Sequence, residues 1–341
     1  LRDQGVTPAE MVHIGDNVEA DIEPCRTRGI GTVHYDKAVL PARAREKEFP
    51  RDAAARGRIL SDNGDFGLTG LRSRLAHRAP AGIAPSLLPY WRIGATALAP
   101  VFAGFARWVT GTCVARGTKI VFGIMREGRF LARLVDQTAR ELGVHLKTEE
   151  IWLSRRAVIG ASLYADDLSQ LTDFIVVAPG ETADEVLAAL GLTAADVEAV
   201  LPHFDLGGPN ALGALAHAIA VTPFLRDKVL ARSARNRRNL LRGLALHIDL
   251  GRDQMVTLMD LGYAATTQSL LARILKREGA KVRLEGLYFA LNDRAAENRR
   301  ADTRISAYLD DAGYGSDIAR LLTRTPDVLE HACMCRDGRL D

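Results

Sequence analysis

Residues 256–275 read VTLMDLGYAATTQSLLARIL, which predicts an apolar strand that ends in an acid, a short loop and a helix. Asp260 closes the strand, Gly262 loosens the loop, and Thr266 and Thr267 begin the helix. Hydroxyls and amides at a helix N-terminus hold phosphate well, and a carboxylate at a strand end can hold sugar hydroxyls or Mg²⁺. A threonine at a helix start is also an ordinary N-cap, so a structural role stays open.

A second stretch has the same order of elements. Residues 119–134, KIVFGIMREGRFLARL, predict a strand, a tight loop and an amphipathic helix. The candidate substrate-binding residues of this loop are Arg126, Glu127, Gly128 and Arg129. The glycine permits a tight turn, and the first amides of the following helix form a natural anion site. An ordinary turn is the alternative, but two such loops on one sheet favour a phosphate site more than either loop alone.

Arginines follow the next predicted strand, TEEIWLS, at 148–154. Ser154 and Arg155 are candidate substrate-binding residues, because an arginine pair formed with Arg156 can neutralise pyrophosphate. A solvated surface pair is the competing interpretation. The cationic stretch ARSARNRRNLLRG at 231–243 predicts a helix with one basic, solvated face. This stretch has no aromatic platforms, so we expect no nucleic-acid partner.

Two aspartates lie close together near the start of the chain. Residues 11–35, MVHIGDNVEADIEPCRTRGIGTVHY, predict a strand, a loop, a helix and a second strand. Asp16 then ends a strand, where open α/β sheets bind ligands, and Asp21 lies in the first turn of the helix. Two hard oxygen ligands at one point suit Mg²⁺. The alternative is that Asp16 caps the helix and Asp21 is a solvated charge.

The bulk composition is that of an ordinary globular protein, with 47% hydrophobic and 26% charged residues over 341 positions. The 45 basic and 42 acidic side chains nearly cancel, which gives little attraction to nucleic acid or to an anionic membrane. Four cysteines in so long a chain do not form a disulfide framework, so we expect a cytoplasmic protein. His331, Cys333 and Cys335 could form half a metal site, with a frayed terminal segment as the alternative.

Strands that alternate with helices predict an α/β fold with parallel sheets. We expect a first segment at 1–36, a charged linker and connecting segment at 37–87, and a second parallel α/β domain at 88–341. Within the second domain, a mainly helical insertion is expected at about 163–250, where helical spacing and cap-like starts recur. The apolar window 93–109 predicts a buried helix and no transmembrane segment, because it is interrupted by a proline and an arginine.

The stretch VTPAEMVHIGDNVEADIEPCRTRGIGTVHY, residues 6–35, closely resembles the last motif of the haloacid-dehalogenase-like (HAD) hydrolase superfamily. The resemblance implies a Rossmann-like segment, Mg²⁺-dependent hydrolysis of phosphate esters, and Asp16 and Asp21 as the Mg²⁺ ligands. HAD phosphatases carry their nucleophile and general acid on an earlier DxDxT strand, and this sequence has no such segment. We therefore expect 1–36 to be the C-terminal part of a HAD-like domain, with the hydrolase half inactive in this chain.

The loops at 126–129 and 260–267 resemble the pyrophosphate loop and the phosphoribosyl-pyrophosphate (PRPP) loop of type I phosphoribosyltransferases. The resemblance implies PRPP as the ligand and phosphoribosyl transfer as the reaction. This chain departs from the family at Leu261, where a second acid is usual, and at Ala264 and Ala265, where Gly and Thr are usual. A different phosphorylated sugar therefore stays open.

The whole chain also resembles bacterial proteins that join a HAD-like half to a phosphoribosyltransferase-like half and occur in surface-polysaccharide loci. The segments that carry the resemblance are IGDNVEAD, LAPVFAGFARWV, REGRFL, LSRRAV and MDLGYAATTQSLL. It implies transfer of ribose 5-phosphate from PRPP to a glycan acceptor and removal of its phosphate by a complete HAD half. Two other functions stay open: a non-catalytic sugar-phosphate-binding or scaffold protein, and a plain HAD phosphatase with a helical accessory domain.

Overall fold

The computed structural model describes residues 5–15, 17–34, 75, 78–176, 181–208, 210–298, 304–310 and 326–334. The chain divides into two compact units, Leu1–Val101 and Phe102–Asp341. Both units contain parallel strands, so the predicted α/β class with parallel sheets is confirmed. The greater part of the linker expected at 37–87 lies outside the described residues.

The first unit contains two short parallel strands, β1 (Val12–Gly15) and β2 (Gly31–His34). They are joined by one π-helical turn at Val18–Ile22 that continues into α1 (Glu23–Arg26). Parallel strands need a crossover of this kind, and it gives the strand–helix–strand order that the sequence predicts for 11–35.

A long apolar helical stretch begins in the first unit. It consists of α2 (Leu88–Ile93), a π-helical turn (Gly94–Leu98) and α3 (Ala99–Arg116), which passes into the second unit. The stretch Pro85–Arg116 has 32 residues and a mean hydropathy of 1.2, and it is the one described helix long and apolar enough to cross a membrane. The core helix of a globular protein meets the same criteria, and the second unit buries these α3 residues: Phe102, Phe105, Ala106, Val109 and Cys113.

The second unit is built on one parallel sheet. Its strands are β3 (Ile120–Ile124), β4 (Lys147–Ile151), β5 (Gln254–Asp260), β6 (Val282–Leu291) and β7 (Arg304–Asp310). Their order across the sheet is β4-β3-β5-β6-β7, and all neighbours pair in parallel. The order therefore reverses between β3 and β5. In open parallel sheets, the crevice outside the carboxyl ends of the strands at such a reversal is the usual place for a ligand.

Helices fill the connections from β3 to β5. Helix α4 (Gly128–Glu141) links β3 to β4. The described residues between β4 and β5 form six helices: α5 (Arg155–Ala161), α6 (Leu171–Ile175), α7 (Ala183–Leu190), α8 (Ala194–Glu198), α9 (Ala211–Val221) and α10 (Pro223–Ala245). Thr182 and Thr193 start α7 and α8 with capping boxes, as their cap-like sequences predict.

Three further helices complete the described part of the second unit: α11 (Thr266–Arg277), α12 (Ala295–Asn298) and α13 (Pro326–Cys333). Strand β6 is apolar along most of its length because both of its faces are covered. Leu284 belongs to the core that includes Ile274 of α11. Phe289, on the opposite face by strand alternation, meets Phe105 of α3 with ring centroids 5.5 Å apart.

Candidate functional site

The reversal of strand order places two loops side by side at the carboxyl edge of the sheet. Residues 125–127 leave β3 and enter α4, and residues 261–265 leave β5 and enter α11. The two strands are neighbours, with Gly123 opposite Met259. The loops that the sequence marks as phosphate sites therefore lie next to each other at the carboxyl ends of these strands, a place that we call the crevice, although they lie more than a hundred residues apart in the chain.

The β3 loop is compact because two glycine backbones meet in it. A Cβ atom on Gly128 would lie 2.5 Å from the carbonyl carbon of Gly123, so a larger residue there would displace the backbone. Glu127 is the N-cap of α4 but makes no side-chain capping bond. Its Oε1 lies 3.3 Å from Nη2 of Arg126. This loop thus presents one arginine, one buried glutamate and the first amides of α4.

Arg129 is engaged with the neighbouring strand. Its guanidinium donates two hydrogen bonds to the Glu150 carboxylate of β4, each 2.8 Å long. Hydrogen bonding to this arginine lowers the pKa of Glu150. Arg129 therefore ties α4 to β4, and its charge is balanced before any ligand arrives.

The β4 side of the edge carries the other predicted cations. Ser154 caps α5, since its Oγ accepts a hydrogen bond from the Ala157 amide at 3.0 Å. Arg155 is exposed, whereas Arg156 forms an ion pair with Glu181. The two arginines do not act as a pair, so Arg155 alone is placed to meet an anion from solvent.

Backbone hydrogen bonds to β6 fix the β5 loop. The Ala290 amide donates to the Leu261 carbonyl, and the Asn292 amide donates to the Tyr263 carbonyl, each at 3.0 Å. Gly262 has a φ of 135°. A Cβ atom at that position would lie 2.0 Å from the Ala290 carbonyl oxygen, so the loop needs glycine there for both conformation and space.

Helix α11 begins at the crevice with two half-buried threonines. Ala265, the residue before the helix, is left-handed with a φ of 56°. Thr266 and Thr267 then occupy the first two helical positions. The first amides of a helix have no acceptor within the helix, so they and the two hydroxyls form a group of donors suited to a phosphate.

Asp260 ends β5 between the two loops. Its Oδ1 accepts a hydrogen bond from the Leu261 amide at 2.8 Å. Burial, and then the negative charges of Glu127 and Glu330, raise the pKa of Asp260 to about 8, against the effect of the Leu261 hydrogen bond. At neutral pH most of the Asp260 carboxyl is therefore protonated, and it can donate a hydrogen bond to a ligand oxygen as well as accept one.

Helix α13 brings a third acid that the sequence did not indicate. Burial, and then the charge of Glu127, raises the pKa of Glu330, while Arg126 lowers it. Tyr263 Oη donates a weak hydrogen bond of 3.5 Å to the Pro326 carbonyl, which ties the start of α13 to the β5 loop. No local motif could have revealed Glu330, because it reaches the crevice only through tertiary packing.

The predicted N-terminal metal site is described only in part, because Asp16 lies outside the described residues. Asp21 folds back to the end of β1, as the sequence predicts: its Oδ2 accepts a hydrogen bond from the Asn17 amide at 3.1 Å. Its Oδ1 lies 3.5 Å from Nε2 of His13. A Cβ atom on Gly15 would lie 2.3 Å from the Cβ of Asp21, so the glycine permits this close approach.

Within the described ranges, no group of three or more His, Cys, Asp or Glu residues is placed to hold a metal ion. In the crevice, Glu127 offers a carboxylate, and Asp260 offers a second one once its carboxyl has lost its proton; carboxylates are the protein ligands that Mg²⁺ prefers. Their number fits a magnesium ion that is held mainly by a ligand's phosphates. At the C-terminus, Cys333 is buried and His331 bonds to the Asp327 carbonyl at 2.7 Å, while Cys335 lies outside the described residues.

A cavity of about 110 Å³ lies apart from the crevice, in the helical insertion. Its polar lining consists of Asp184 and Glu198, and its other lining residues are apolar: Ala183, Leu187, Ala194, Val197, Phe204 and Leu206. A lining with two acids and no cation does not suit a phosphate. The crevice is therefore the better candidate site.

Comparison of the sequence with protein-family models returns no match, and no curated protein matches it at a significant level.

Proposed function

We propose that the second unit binds a phosphorylated sugar in the crevice between β3 and β5 and acts as a phosphoribosyltransferase-like enzyme. One observation carries the proposal: both loops that resemble phosphate-binding loops leave the two strands between which the strand order reverses. Ligands of open parallel sheets bind at that point for a geometric reason, since neighbouring loops diverge there and leave a crevice.

The sugar phosphate lies with its phosphate at the start of α11. The amides and hydroxyls of Thr266 and Thr267 donate hydrogen bonds to the phosphate oxygens. Asp260, at the end of β5 just before the same loop, bonds to hydroxyls of the sugar ring. Its raised pKa supports this role, because a protonated carboxyl donates to one hydroxyl while it accepts from another.

The leaving group lies on the β3 side. In transfer from PRPP, the bond between the anomeric carbon and the pyrophosphate oxygen breaks with its electron pair on the pyrophosphate. An acceptor oxygen then bonds to that carbon and releases its proton to solvent. Arg126 and the first amides of α4 stabilise the charge that develops on the pyrophosphate. A bound Mg²⁺, with Glu127 or Asp260 as a protein ligand, would supply further neutralisation of the pyrophosphate.

We infer a place for the first unit from its HAD-like motif. In a complete HAD half, Asp16 and Asp21 would hold Mg²⁺ for hydrolysis of a phosphate ester. The turn of Asp21 toward the end of β1 supports this assignment. The two activities would together add ribose 5-phosphate to a glycan acceptor and remove its phosphate in bacterial surface-glycan synthesis.

The test is release of pyrophosphate from PRPP in the presence of Mg²⁺, together with binding of ribose 5-phosphate by calorimetry. Replacement of both helix-start threonines by valine (T266V/T267V) should weaken ribose 5-phosphate binding by about tenfold or more, the equivalent of one or two lost hydrogen bonds. Thr172→Val, at an exposed position on α6, is the matched control. Equal binding by the double variant and the control contradicts the proposal.

A non-catalytic binding protein is the second candidate. It is favoured by Leu261 in place of a second acid and by the engagement of Arg129 with Glu150. Binding of PRPP and ribose 5-phosphate without any pyrophosphate release supports this candidate over the enzyme. A plain HAD phosphatase with an accessory domain predicts instead that Asp260 is dispensable for every activity of the protein.

A further inference from the structure

A buried polar pair, Gln268 and Tyr288, joins the first turn of α11 to β6. Gln268 is the third residue of α11 and has no exposed surface. Its Oε1 accepts a hydrogen bond of 2.9 Å from the hydroxyl of Tyr288, which is also buried. Its Nε2 donates to the backbone carbonyls of Leu284, at 3.4 Å, and of Arg304, at 3.1 Å. Both polar atoms of the Gln268 amide therefore have partners, and they fasten α11 to β6 and β7.

A glycine in β6 makes room for this pair. Gly286 lies between Leu284 and Tyr288 on the face of the strand that α11 covers. A Cβ atom on Gly286 would lie 2.0 Å from Oε1 of Gln268 and 2.4 Å from Cε2 of Tyr288. Glycine weakens a strand, because it packs no side chain and loses more conformational freedom on folding. The chain thus has a strand glycine and two buried polar side chains where apolar residues would make an ordinary core, which indicates a role beyond packing.

The pair lies at the level of the crevice. Tyr288 is opposite Asp260 in the register of β5 and β6. Tyr288 also shares a small apolar cluster with Ala265, the left-handed residue before α11. Apolar contacts are not directional, so they leave a helix free to shift on a sheet, whereas hydrogen bonds weaken steeply when their distance or angle changes. The bonds of Gln268 therefore restrict the first turn of α11 to one position against β6 and β7.

We propose that Gln268 and Tyr288 are positioning residues, which hold the first turn of α11 so that its amides and threonine hydroxyls converge on a phosphate. The proposal rests on the proposed function and adds two residues that act on the ligand through Thr266 and Thr267. A small rotation of the turn would misalign several donors at once, because all of them belong to the same turn. Donors that are already in place bind more tightly, since binding then requires less ordering of the protein.

Calorimetric titration of the full chain with ribose 5-phosphate tests the proposal. Tyr288→Phe removes one hydroxyl and keeps the ring, and Gln268→Met keeps the length of the side chain without its polar atoms. Each should weaken ribose 5-phosphate binding about three- to tenfold. The double variant should bind no more weakly than Gln268→Met alone, because Tyr288 acts through its hydrogen bond to Gln268. Pyrophosphate with Mg²⁺ should bind all three variants as tightly as wild type, because the proposed function places it on the β3 side.

Thr257→Val is the matched control, with the fold of each variant checked by circular dichroism. It also removes a buried hydrogen bond between β5 and β6, that of Thr257 to Glu285 at 3.2 Å. Thr257 lies three residues before Asp260, about 10 Å along the strand, so this variant should bind ribose 5-phosphate like wild type.

The outcomes separate the positioning role from the function beneath it. If both Tyr288→Phe and Gln268→Met bind ribose 5-phosphate as tightly as wild type, the positioning role is overturned and the phosphate site stands. An equal loss in Thr257→Val, or an equal loss for pyrophosphate, also overturns it, because the pair would then support the fold in general. If the folded wild-type chain binds neither ribose 5-phosphate nor PRPP, the positioning role and the proposed function fall together.

Discussion

Replacement of Asp260 by asparagine should stabilise the protein, and the gain should grow with pH. The Asp260 pKa of about 8 in the fold compares with 3.8 in the unfolded chain. Between pH 3.8 and pH 8, the folded state therefore holds the Asp260 proton more tightly than the unfolded chain does. The contribution of the protonated carboxyl to stability is fully present below pH 3.8 and is lost as the pH rises toward 8. Asparagine keeps an oxygen for the Leu261 amide and carries no charge at any pH.

The magnitude follows from the same two values. Their difference corresponds to about 6 kcal/mol. Since Asp260 keeps part of its surface exposed to solvent, we expect roughly 2–3 kcal/mol. For a unit of this size that gain raises the melting temperature by about 5–10 °C above pH 8, and by almost nothing near pH 4. Thermal unfolding of wild type and Asp260→Asn at pH 4.5, 7 and 8.5 measures the trend.

Asp166→Asn is a control whose effect on stability should depend on pH in the opposite direction. Asp166 accepts two hydrogen bonds of 2.9 Å from Arg277, which hold the pKa of Asp166 below its ordinary value. Its contribution is present above the unfolded pKa and is lost as the pH falls, so Asp166→Asn should cost stability at pH 7 and less at pH 3.5. A pH-independent effect of Asp260→Asn, or a loss of stability at pH 8.5, refutes the raised pKa that we assign to Asp260.

Two further changes, each measured by urea unfolding, test the packing of the β5 loop and of α10. Gly262→Ala should cost about 3 kcal/mol or more, because it adds a Cβ against the β6 backbone at a positive φ. Gly243→Ala, with open space around it in α10, should stabilise by up to about 1 kcal/mol, and equal effects of the two changes would contradict this view of the β5 loop. Arg237→Met should cost about 2–3 kcal/mol, because Arg237 lies 3.9 Å over the Tyr164 ring and 2.9 Å from Glu278. A change below about 0.5 kcal/mol would show that Arg237 belongs to a solvated basic face.

The strand and helix pattern of the second unit was predictable because short sequence patterns within each element determine it. Apolar runs that end in Gly-containing loops mark β3 and β5, and threonines with acids three residues later mark the starts of α7 and α8. Such signals act over a few residues, where backbone conformation and capping decide the outcome. The placement of both candidate loops at one edge also followed, since parallel strands end on the same side.

Pairing between distant side chains was not predictable. Arg129 was a candidate ligand residue, yet it pairs with Glu150 on the next strand. The basic stretch 231–243 is helical and exposes Arg235, Arg238 and Arg242, as the solvated-face prediction requires. Arg237 is the exception, because it donates hydrogen bonds to the Ala161 and Leu163 carbonyls. Glu330 likewise reaches the crevice only through the packing of α13. Each of these contacts depends on tertiary structure, which a local pattern does not encode.

A crystal structure of the full chain with ribose 5-phosphate would show where the sugar phosphate binds. We predict phosphate oxygens within about 3 Å of the Thr266 and Thr267 amides, and ring hydroxyls within about 3 Å of the Asp260 carboxyl. Ligand density in the helical insertion, or anywhere other than between the carboxyl ends of β3 and β5, would contradict it.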